Sequence, residues 1–255
     1  MIHPTAIVHP KAVIGQGAEI GPYCIIGEHV KIGKRATLLA HVVVNGYTTV
    51  GEGARIHPFC SIGARSQDRK YHGEIAYTTI GDRTEIREFV SVHRATGEGE
   101  TTSIGNDSLL LAYVHIAHNC RVGDHVTMSS TAQLAGHVIV EDYATIGGQT
   151  GVHQFVRIGE HAMVGGISKI TRDVPPYFLV EGNPVQPYGL NNVGLRRAEF
   201  SPEILTELKE CYKIVYRSGY NISQAVEALR TLVVSPQGRH LLAFIEAPTE
   251  RGIVK

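Results

Sequence analysis

The stretch IHPTAIVHPKAVIGQGAEIGPYCIIGEHVKI, residues 2–32, decides the fold because it carries an aliphatic residue at every sixth position. The same period continues to Ile170, and 26 of the 29 positions that it defines are aliphatic. Four places after each aliphatic residue stands a small one, such as Ala6, Ala12 or Cys24. This pairing predicts a short strand and a tight turn in every unit of six, with three such units forming one triangular coil.

Two polar stretches interrupt this period, at about residues 64 to 79 and 94 to 103. They contain the three positions that are not aliphatic, which are Asp68, Glu74 and Glu98. Because each interruption inserts a whole multiple of the six-residue unit, we expect two excursion loops that leave the coil register intact. Ordinary antiparallel strands would instead show a period of two and a spacing of about 8 to 12 residues.

The composition excludes several classes of protein. Among the 255 residues, 24 basic side chains balance 24 acidic ones, so we expect no nucleic-acid partner. No apolar run approaches the ~18 residues of a membrane span and the amino terminus lacks a signal-peptide pattern, which predicts no membrane span and a cytoplasmic location. The four cysteines are widely spaced, which predicts reduced thiols rather than a disulfide or zinc framework.

A repeat domain of residues 1–190 and a C-terminal helical domain of residues 191–255 are predicted. The period ends at Ile170, and a proline-rich connector follows. Ser-Pro-Glu at 201–203 is typical of a helix N-terminus, and two further stretches have helical periodicity, the last at about 236 to 247. We expect these helices to cover the exposed strand edges of the last coil.

One corner of the coil is predicted to collect histidines, because positions one coil apart stack on one another. The stacked positions are His93, His115, His118, Gly136, His137, His153 and Gln154. Such a corner suits plain solvation, metal binding or acid–base catalysis. We expect no metal, because acidic companions are missing nearby and HxxH is a weak signal. A neutral imidazole suits acyl transfer to a hydroxyl, and direct attack by the acceptor is expected because no nucleophile stands beside the histidines.

The repeat is similar to that of the hexapeptide-repeat proteins, which implies a mainly β fold, a left-handed parallel β-helix with a small helical C-terminus. A closer resemblance covers essentially the whole chain, including both loops and the helical tail. Its strings are HVVVNG (41–46), QDRKY (67–71), IGDRTEIRE (80–88), HRAT (93–96), HIAHNC (115–120), LAGHV (134–138), GVHQF (151–155), DVPPY (173–177) and GLRR (194–197). They resemble the acyl-carrier-protein-dependent UDP-N-acetylglucosamine O-acyltransferases, the family that begins lipid A biosynthesis.

This resemblance implies a homotrimer without metal or organic cofactor. It would move a (R)-3-hydroxyacyl chain from acyl carrier protein to the 3-hydroxyl of UDP-N-acetylglucosamine. His118 would be the general base, and the backbone amide of Gly136 would stabilise the oxyanion. The implied substrate-binding residues are Asp68, Lys70, His115, His137, His153, Gln154, Asn191 and Arg197. Asp68 and Lys70 would reach the sugar from a neighbouring subunit, and Gly166 with Met163 would set acyl-chain length.

Two residues depart from the family pattern. Asn119 follows the base where the family commonly has aspartate, and an amide accepts a hydrogen bond but carries no charge. Val193 stands where an acidic residue often occurs.

A set of basic residues recurs on the predicted helical domain. Its members are Arg196, Lys209, Lys213 and Arg217, the last three at four-residue spacing. Alone, such a set is usually a solvated face, but with an acidic carrier protein as donor it becomes a candidate docking stripe.

Three other functions remain as alternatives. An N-acyltransferase of the same pathway is disfavoured, because that family normally carries a separate amino-terminal domain and the repeat here begins at Ile2. A hydratase resembling hexapeptide-repeat carbonic anhydrases would bind zinc through His93, His115 or His118. A structural or carrier-binding scaffold would show no turnover.

Overall fold

A computed structural model describes residues 1–255. Most strands are two residues long, because each six-residue unit spends its other four residues on a turn. The strands are β1 Ile7–Val8, β2 Val13–Ile14, β3 Glu19–Ile20, β4 Ile25–Ile26, β5 Lys31–Ile32, β6 Thr37–Leu38, β7 Val43–Val44, β8 Tyr47–Val50, β9 Arg55–Ile56, β10 Ser61–Ala64, β11 Tyr77–Ile80, β12 Glu85–Ile86, β13 Ser91–His93, β14 Thr101–Ile104, β15 Leu109–Leu110, β16 His115–Ile116, β17 Arg121–Val122, β18 Thr127–Met128, β19 Gln133–Leu134, β20 Ile139–Val140, β21 Thr145–Ile146, β22 Gly151–Val152, β23 Arg157–Ile158, β24 Met163–Val164, β25 Lys169–Ile170, β26 Phe178–Gly182 and β27 Val185–Leu190.

These strands form three parallel sheets, the sides of a triangular prism. The nine-strand sheet runs β1-β4-β7-β10-β13-β16-β19-β22-β25 and the eight-strand sheet runs β2-β5-β8-β11-β14-β17-β20-β23. The ten-strand sheet runs β27-β26-β24-β21-β18-β15-β12-β9-β6-β3. From β1 to β25 each strand pairs with the third strand along the chain, which makes three units one coil, as the period predicts.

The register confirms the length of the coil and of both loops. Ile7 pairs with Ile25, so one regular coil is eighteen positions long. Across the first loop Ser61 pairs with Ser91, a step of thirty positions, and across the second Ser91 pairs with His115, a step of twenty-four. The loops thus lengthen their coils by twelve and by six positions, both whole multiples of the repeat unit.

The core is the column of inward side chains along the prism axis. It forms one cluster of 44 buried residues, in which the sixth-position aliphatics, such as Ile56 and Ile116, are 0 to 3% exposed. The small positions lie next to the turns, and Cys24, Cys60 and Cys120 occupy three of them with 0 to 1% exposure. This confirms that these three cysteines pack inside the prism.

Three corners join the sheets, and each is defined here by its turns in the later coils. The site corner holds residues 117–120, 135–138 and 153–156, between the nine- and eight-strand sheets. The helix corner holds 123–126, 141–144 and 159–162, between the eight- and ten-strand sheets. The glycine corner holds 129–132, 147–150 and 165–168, between the ten- and nine-strand sheets.

Rings at the corners stack from coil to coil. Tyr23, His41, Phe59, Phe89 and Tyr113 form one continuous stack on the glycine corner, with neighbouring ring centroids 4.8 to 5.1 Å apart. All five residues have φ between 58° and 64°, the left-handed region. This conformation costs a non-glycine residue roughly 1 to 2 kcal/mol, and stacked rings contribute about 0.5 to 1.5 kcal/mol per pair in return.

The two excursion loops fold against each other and form one unit. Tyr71, Ala76 and Ala95 make a small buried cluster between them. Glu74 Oε1 accepts a hydrogen bond from the Gly97 backbone N–H at 2.8 Å. The connection makes the position of each loop depend on the other.

The stretch expected to be a proline-rich connector is partly a β-hairpin. In it, β26 pairs parallel with β24 and antiparallel with β27, which extends the ten-strand sheet. The reason is burial, because Val180 pairs with Val164 and joins the prism core, while Phe178 packs against Tyr212 of the helical region, and neither has exposed surface.

Four helices follow: α1 Asn192–Arg197, α2 Pro202–Arg217, α3 Ile222–Leu232 and α4 Pro236–Glu246. Ser201 caps α2 by accepting from the Ile204 N–H. The helices share an apolar cluster of 13 buried residues with the hairpin. Arg157 ties α4 to the prism, because its guanidinium lies 4.4 Å from the Phe244 ring centroid and pairs with buried Asp173 at 2.8 Å. None of the four helices has the length and apolar character that a membrane crossing needs.

Candidate active site

A groove of about 540 Å³ lies along the nine-strand sheet and the site corner. Its polar lining includes Gln67, His115, His118, Gln133, His153 and Lys169. All but Gln67 come from strands or turns of stacked coils, and Gln67 comes from the first excursion loop. The coil therefore brings residues together that are far apart in sequence.

His118 lies directly against Gly136 of the next coil. A Cβ at Gly136 would lie 2.5 Å from His118 Cε1 and 2.6 Å from Nε2, so only glycine leaves room for the ring. The Gly136 backbone N–H, next to this ring, has no hydrogen-bond acceptor in the chain. An imidazole and an unpaired amide donor thus face the same groove.

The other edge of the His118 ring faces two oxygens. Nδ1 lies 2.9 Å from Asn119 Oδ1 and 4.0 Å from Asp68 Oδ2. Only 16% of the His118 side chain is exposed, which leaves one side of the ring open to the groove.

The neighbouring histidines are biased toward the neutral form. Burial lowers the pKa of His115, and the nearby His93 lowers it further. Burial also lowers the pKa of His137, with repulsion from His118 as the second cause. Two neutral imidazoles beside His118 offer hydrogen-bond donors and acceptors without adding positive charge.

Cys120 is not available as a nucleophile. Its side chain points into the core, and burial raises the pKa of its thiol to about 12. The thiolate is the reactive form, so this cysteine stays inert at neutral pH. The prediction that no nucleophile lies beside the histidines holds for Cys120 but not for Ser91, whose Oγ lies 2.8 Å from His115 Nδ1.

The expectation that the histidines lack an acidic companion is wrong. Asp68, His118 and His137 each offer a ligand atom, and these atoms lie within 4.8 Å of one another, a grouping that could hold a metal ion. Asp68 is far from His118 in the sequence and reaches it only because the first loop folds over the corner. The coil arithmetic does not apply inside a loop, so the spacing could not place this carboxylate.

Asp68 lies beside His118 of its own chain, and its reach to the sugar of a neighbouring subunit stays a prediction. The loop is held in this position because the Asp68 N–H donates to Ser66 Oγ at 3.2 Å and the Lys70 N–H donates to Asp68 Oδ1 at 3.0 Å. The Lys70 side chain stays exposed at the rim.

Four of the other predicted site residues are not in this groove. Asn191 caps α1, accepting from the Gly194 N–H at 3.1 Å, and its amide donates to the His161 carbonyl oxygen of the helix corner at 2.9 Å. Arg197 is exposed in the last turn of α1. Gly166 lies on the glycine corner, and Met163 lies in β24 of the ten-strand sheet. The three corners are separate edges of the prism, so one chain does not bring these residues to His118.

His153 and Gln154 lie at the site corner as predicted, one coil beyond Gly136. His153 lines the groove, and Gln154 is exposed, with its carbonyl oxygen accepting from Arg251 at 2.9 Å.

The sequence reasoning missed Lys169 and Gln67. Lys169 lies three coils beyond His115 in the stacked series. It is the one lysine that lines the groove. The coil spacing contained this signal. Gln67 had no such signal because it belongs to a loop.

The basic residues predicted as a docking stripe are all exposed. Lys209 and Lys213 border a concavity of about 320 Å³ beside Tyr212. Lys213 also pairs with Glu210 at 2.6 Å, which reduces the net positive charge of this surface.

Comparison with known proteins agrees with this geometry. A family profile described as UDP N-acetylglucosamine O-acyltransferase, domain 2, matches residues 173–254, and one described as bacterial transferase hexapeptide matches residues 1–34 and 101–136. A protein of Gloeothece citriformis named acyl-[acyl-carrier-protein]–UDP-N-acetylglucosamine O-acyltransferase is 46% identical over 97% of this chain and 90% of its own length. The chain belongs to the UDP-N-acetylglucosamine O-acyltransferase family.

Further relatives support this family over the full length. A protein of the same name from Syntrophobacter fumaroxidans is 43% identical over 100% of this chain and 99% of its own. The crystal structure of a UDP-N-acetylglucosamine acyltransferase from Bacteroides fragilis superposes with a TM-score of 0.97, at 36% identity and full coverage of both chains. The predicted left-handed parallel β-helix is thereby confirmed, and the family favours O-acyl transfer over the N-acyltransferase, hydratase and scaffold alternatives.

Proposed function

We propose that this chain transfers a (R)-3-hydroxyacyl group from acyl carrier protein to the 3-hydroxyl of UDP-N-acetylglucosamine, the first step of lipid A biosynthesis, with His118 as general base. Acyl transfer of this kind is the activity of the family. The observation that carries the mechanism is the position of His118 against Gly136, with an unpaired backbone N–H beside the ring.

The proposed reaction is a direct transfer. His118 Nε2 takes the proton of the sugar 3-hydroxyl. At the same time the oxygen of this hydroxyl attacks the thioester carbonyl carbon. The Gly136 N–H donates to the oxyanion of the tetrahedral intermediate. The C–S bond then breaks, the imidazolium returns its proton to the leaving thiolate, and an ester and the free carrier thiol result.

The surrounding residues are proposed to bind the sugar nucleotide. His115, His137, His153 and Gln154 offer hydrogen bonds along the site corner, and Asp68 with Lys70 does so from the loop. Asn191 and Arg197 are proposed for the nucleotide, where the guanidinium would pair with phosphate oxygens. Gly166 and Met163 are proposed to limit acyl-chain length.

A homotrimer would reconcile these roles with the separation of the three corners. If the helix corner of one chain faces the site corner of the next, Arg197 of one copy approaches His118 of another. The exposed ring stack of the glycine corner, with Tyr23 58% and Phe59 51% exposed, offers a further apolar surface for contacts between copies of the chain.

Subunit complementation tests the shared site. We expect His118→Ala and Arg197→Ala each to be nearly inactive alone, while a mixture assembled from both chains recovers about a quarter of wild-type activity, since random cyclic trimers then contain native sites. Light scattering checks the trimer mass. Mixed trimers without recovery would contradict a site between chains.

The carrier protein is proposed to dock on the stripe of Arg196, Lys209, Lys213 and Arg217. Attraction between this stripe and an acidic partner should weaken as ionic strength rises.

A cytoplasmic location and the division into residues 1–190 and 191–255 remain part of the proposal. Four free, buried cysteines suit a reducing compartment. The repeat core and the helical cluster are two distinct apolar clusters, which supports the division.

His118→Ala tests the base. We expect a loss of about 10² to 10⁴ in turnover, the usual contribution of general-base catalysis. His9→Ala is the matched control, because His9 follows β1 in the first coil, at the far end of the prism from the groove. A folded His118→Ala protein with unchanged turnover would overturn the mechanism.

A further inference from the structure

The side-chain amide of Asn119 is held by both polar groups of one residue, Thr96 of the second excursion loop. The Thr96 backbone N–H donates to Asn119 Oδ1 at 2.9 Å. In return Asn119 Nδ2 donates to the Thr96 carbonyl oxygen at 3.0 Å. Turning the amide over would set donor against donor and acceptor against acceptor, so its orientation is fixed.

This orientation determines which nitrogen of His118 carries the proton. Asn119 Oδ1 is only an acceptor, and it lies 2.9 Å from His118 Nδ1. In the neutral ring Nδ1 must therefore be the N–H. This leaves the lone pair on Nε2, the ring nitrogen that a Cβ at Gly136 would meet first, at 2.6 Å. We infer that Asn119, clamped by Thr96, is a positioning residue that fixes the reactive tautomer of His118.

The clamp is itself held by the first loop. The hydroxyls of Ser66 and Thr96 lie 2.6 Å apart, and Ser66 Oγ also accepts from the Asp68 N–H. Asn119 adds a bond of its own, since its backbone N–H donates to Thr102 Oγ1 at 2.8 Å. The tautomer of the base thus depends on the two loops being joined.

An aspartate would not replace this asparagine without cost. A carboxylate has no donor for the Thr96 carbonyl oxygen, so one oxygen would face another at about the present 3.0 Å in a site where Asn119 is 8% exposed. Burying such an unpaired acceptor is unfavourable. In this chain the neutral amide is the side chain that satisfies both Thr96 and His118.

The inference rests on His118 acting as the base, and two measurements on the whole enzyme test it. Neutron diffraction from crystals grown at a pH where the ring is neutral locates the deuteron on His118. Steady-state kinetics separate kcat from KM. We expect wild-type crystals to carry the deuteron on Nδ1.

Three variants alter the clamp. Asn119→Ala removes the acceptor, and we expect a mixed or Nε2-deuterated ring with kcat reduced about 10- to 100-fold, part of the general-base contribution, at nearly constant KM. Asn119→Asp should also lower kcat because the carboxylate is displaced from Thr96. Ser66→Ala, which loosens the clamp from the first loop, should lower kcat less than either.

Two controls match these variants. Asn221→Ala removes the amide that caps α3, and Ser235→Ala removes the hydroxyl that caps α4, both away from the groove. Both should lower thermal stability without changing kcat or the deuteron on His118.

The outcomes separate this inference from the proposed function. A deuteron on Nε2 in the wild type, or full kcat in Asn119→Ala or Asn119→Asp, overturns the clamp. Full turnover in His118→Ala overturns the proposed base instead, whichever nitrogen carries the deuteron.

Discussion

Individual residues at the site corner are constrained by the residue one coil away. His118 needs a glycine above it, and Asn119 needs the backbone of Thr96 beside it. Neither requirement is visible in a single six-residue unit. The first follows from stacking, which places equivalent positions of successive coils in van der Waals contact, and the second follows from the way the second excursion loop folds over the corner.

Gly136→Ala is the sharpest prediction at this scale. The new methyl group would lie about 2.5 Å from the His118 ring, so we expect the ring to be displaced and turnover to fall by at least about 10-fold. The φ of Gly136 is not in the left-handed region, so the backbone accepts alanine.

The measurement is turnover together with the melting temperature. A Gly136→Ala enzyme with wild-type turnover would show that the ring position does not matter. A large loss of stability would show that the methyl group disturbs the coil rather than the ring.

At the scale of elements, the short strands and the loops have different sources of stability. Strands are held by the common core, whereas the loops are held by a few polar contacts. Glu74 accepts from the Gly97 N–H, and Glu98 Oε2 accepts from the Ile75 N–H at 3.1 Å, so each loop has a carboxylate bonded to the other.

Removing both carboxylates should loosen the loops and leave the prism intact. For Glu74→Ala combined with Glu98→Ala we expect faster amide hydrogen exchange in residues 64–79 and 94–103, lower turnover and little change in melting temperature. Hydrogen-exchange mass spectrometry makes the comparison.

The matched control is Glu227→Ala, an exposed carboxylate paired with Arg230 on α3. It should leave exchange in both loops unchanged. Unaltered loop exchange in the double variant would mean that these carboxylates do not join the loops.

At the scale of the whole molecule, buried histidines couple stability to pH. Burial lowers the pKa values of His115, His137 and His161, whereas the hydrogen bond that Glu141 accepts from His240 raises the pKa of His240. Below about pH 6.5, the pKa of histidine in the unfolded chain, the unfolded chain binds protons at His115, His137 and His161 that the folded chain does not bind. Proton binding therefore favours the unfolded state. His240 opposes this, because its contribution is complete below that value and is lost only as pH rises.

We therefore expect the free energy of unfolding to fall as pH drops from 7.5 to 5.5, by urea denaturation at constant protein concentration. His161→Phe should reduce this dependence, because a phenyl ring can keep the stacking on Tyr143 at about 4.7 Å but cannot titrate. An equal free energy of unfolding at both pH values would contradict the expectation that the three histidines with lowered pKa values outweigh His240, whose pKa is raised.

The sequence by itself determined the prism, because one aliphatic and one small residue in every six leave a single way to bury a continuous core. It also determined the histidine corner, since His118 and Gly136 are one coil apart and regular coils turn that spacing into contact. Lys169 could have been found in the same way.

Only the tertiary structure decided which loop residues face the histidine corner. Asp68 reaches His118 and Thr96 fixes Asn119 because both loops leave the repeat, and their conformation depends on contacts such as Tyr71 with Ala95 that have no period. The hairpin at Phe178 was missed for the same reason, because Phe178 is buried against Tyr212 and Tyr216 of α2, which are distant in the sequence. Sequence spacing predicts contacts in the regular coils, where every unit has the same neighbours. It does not predict the contacts of the loops and the hairpin, because these depend on packing between segments that are distant in the sequence.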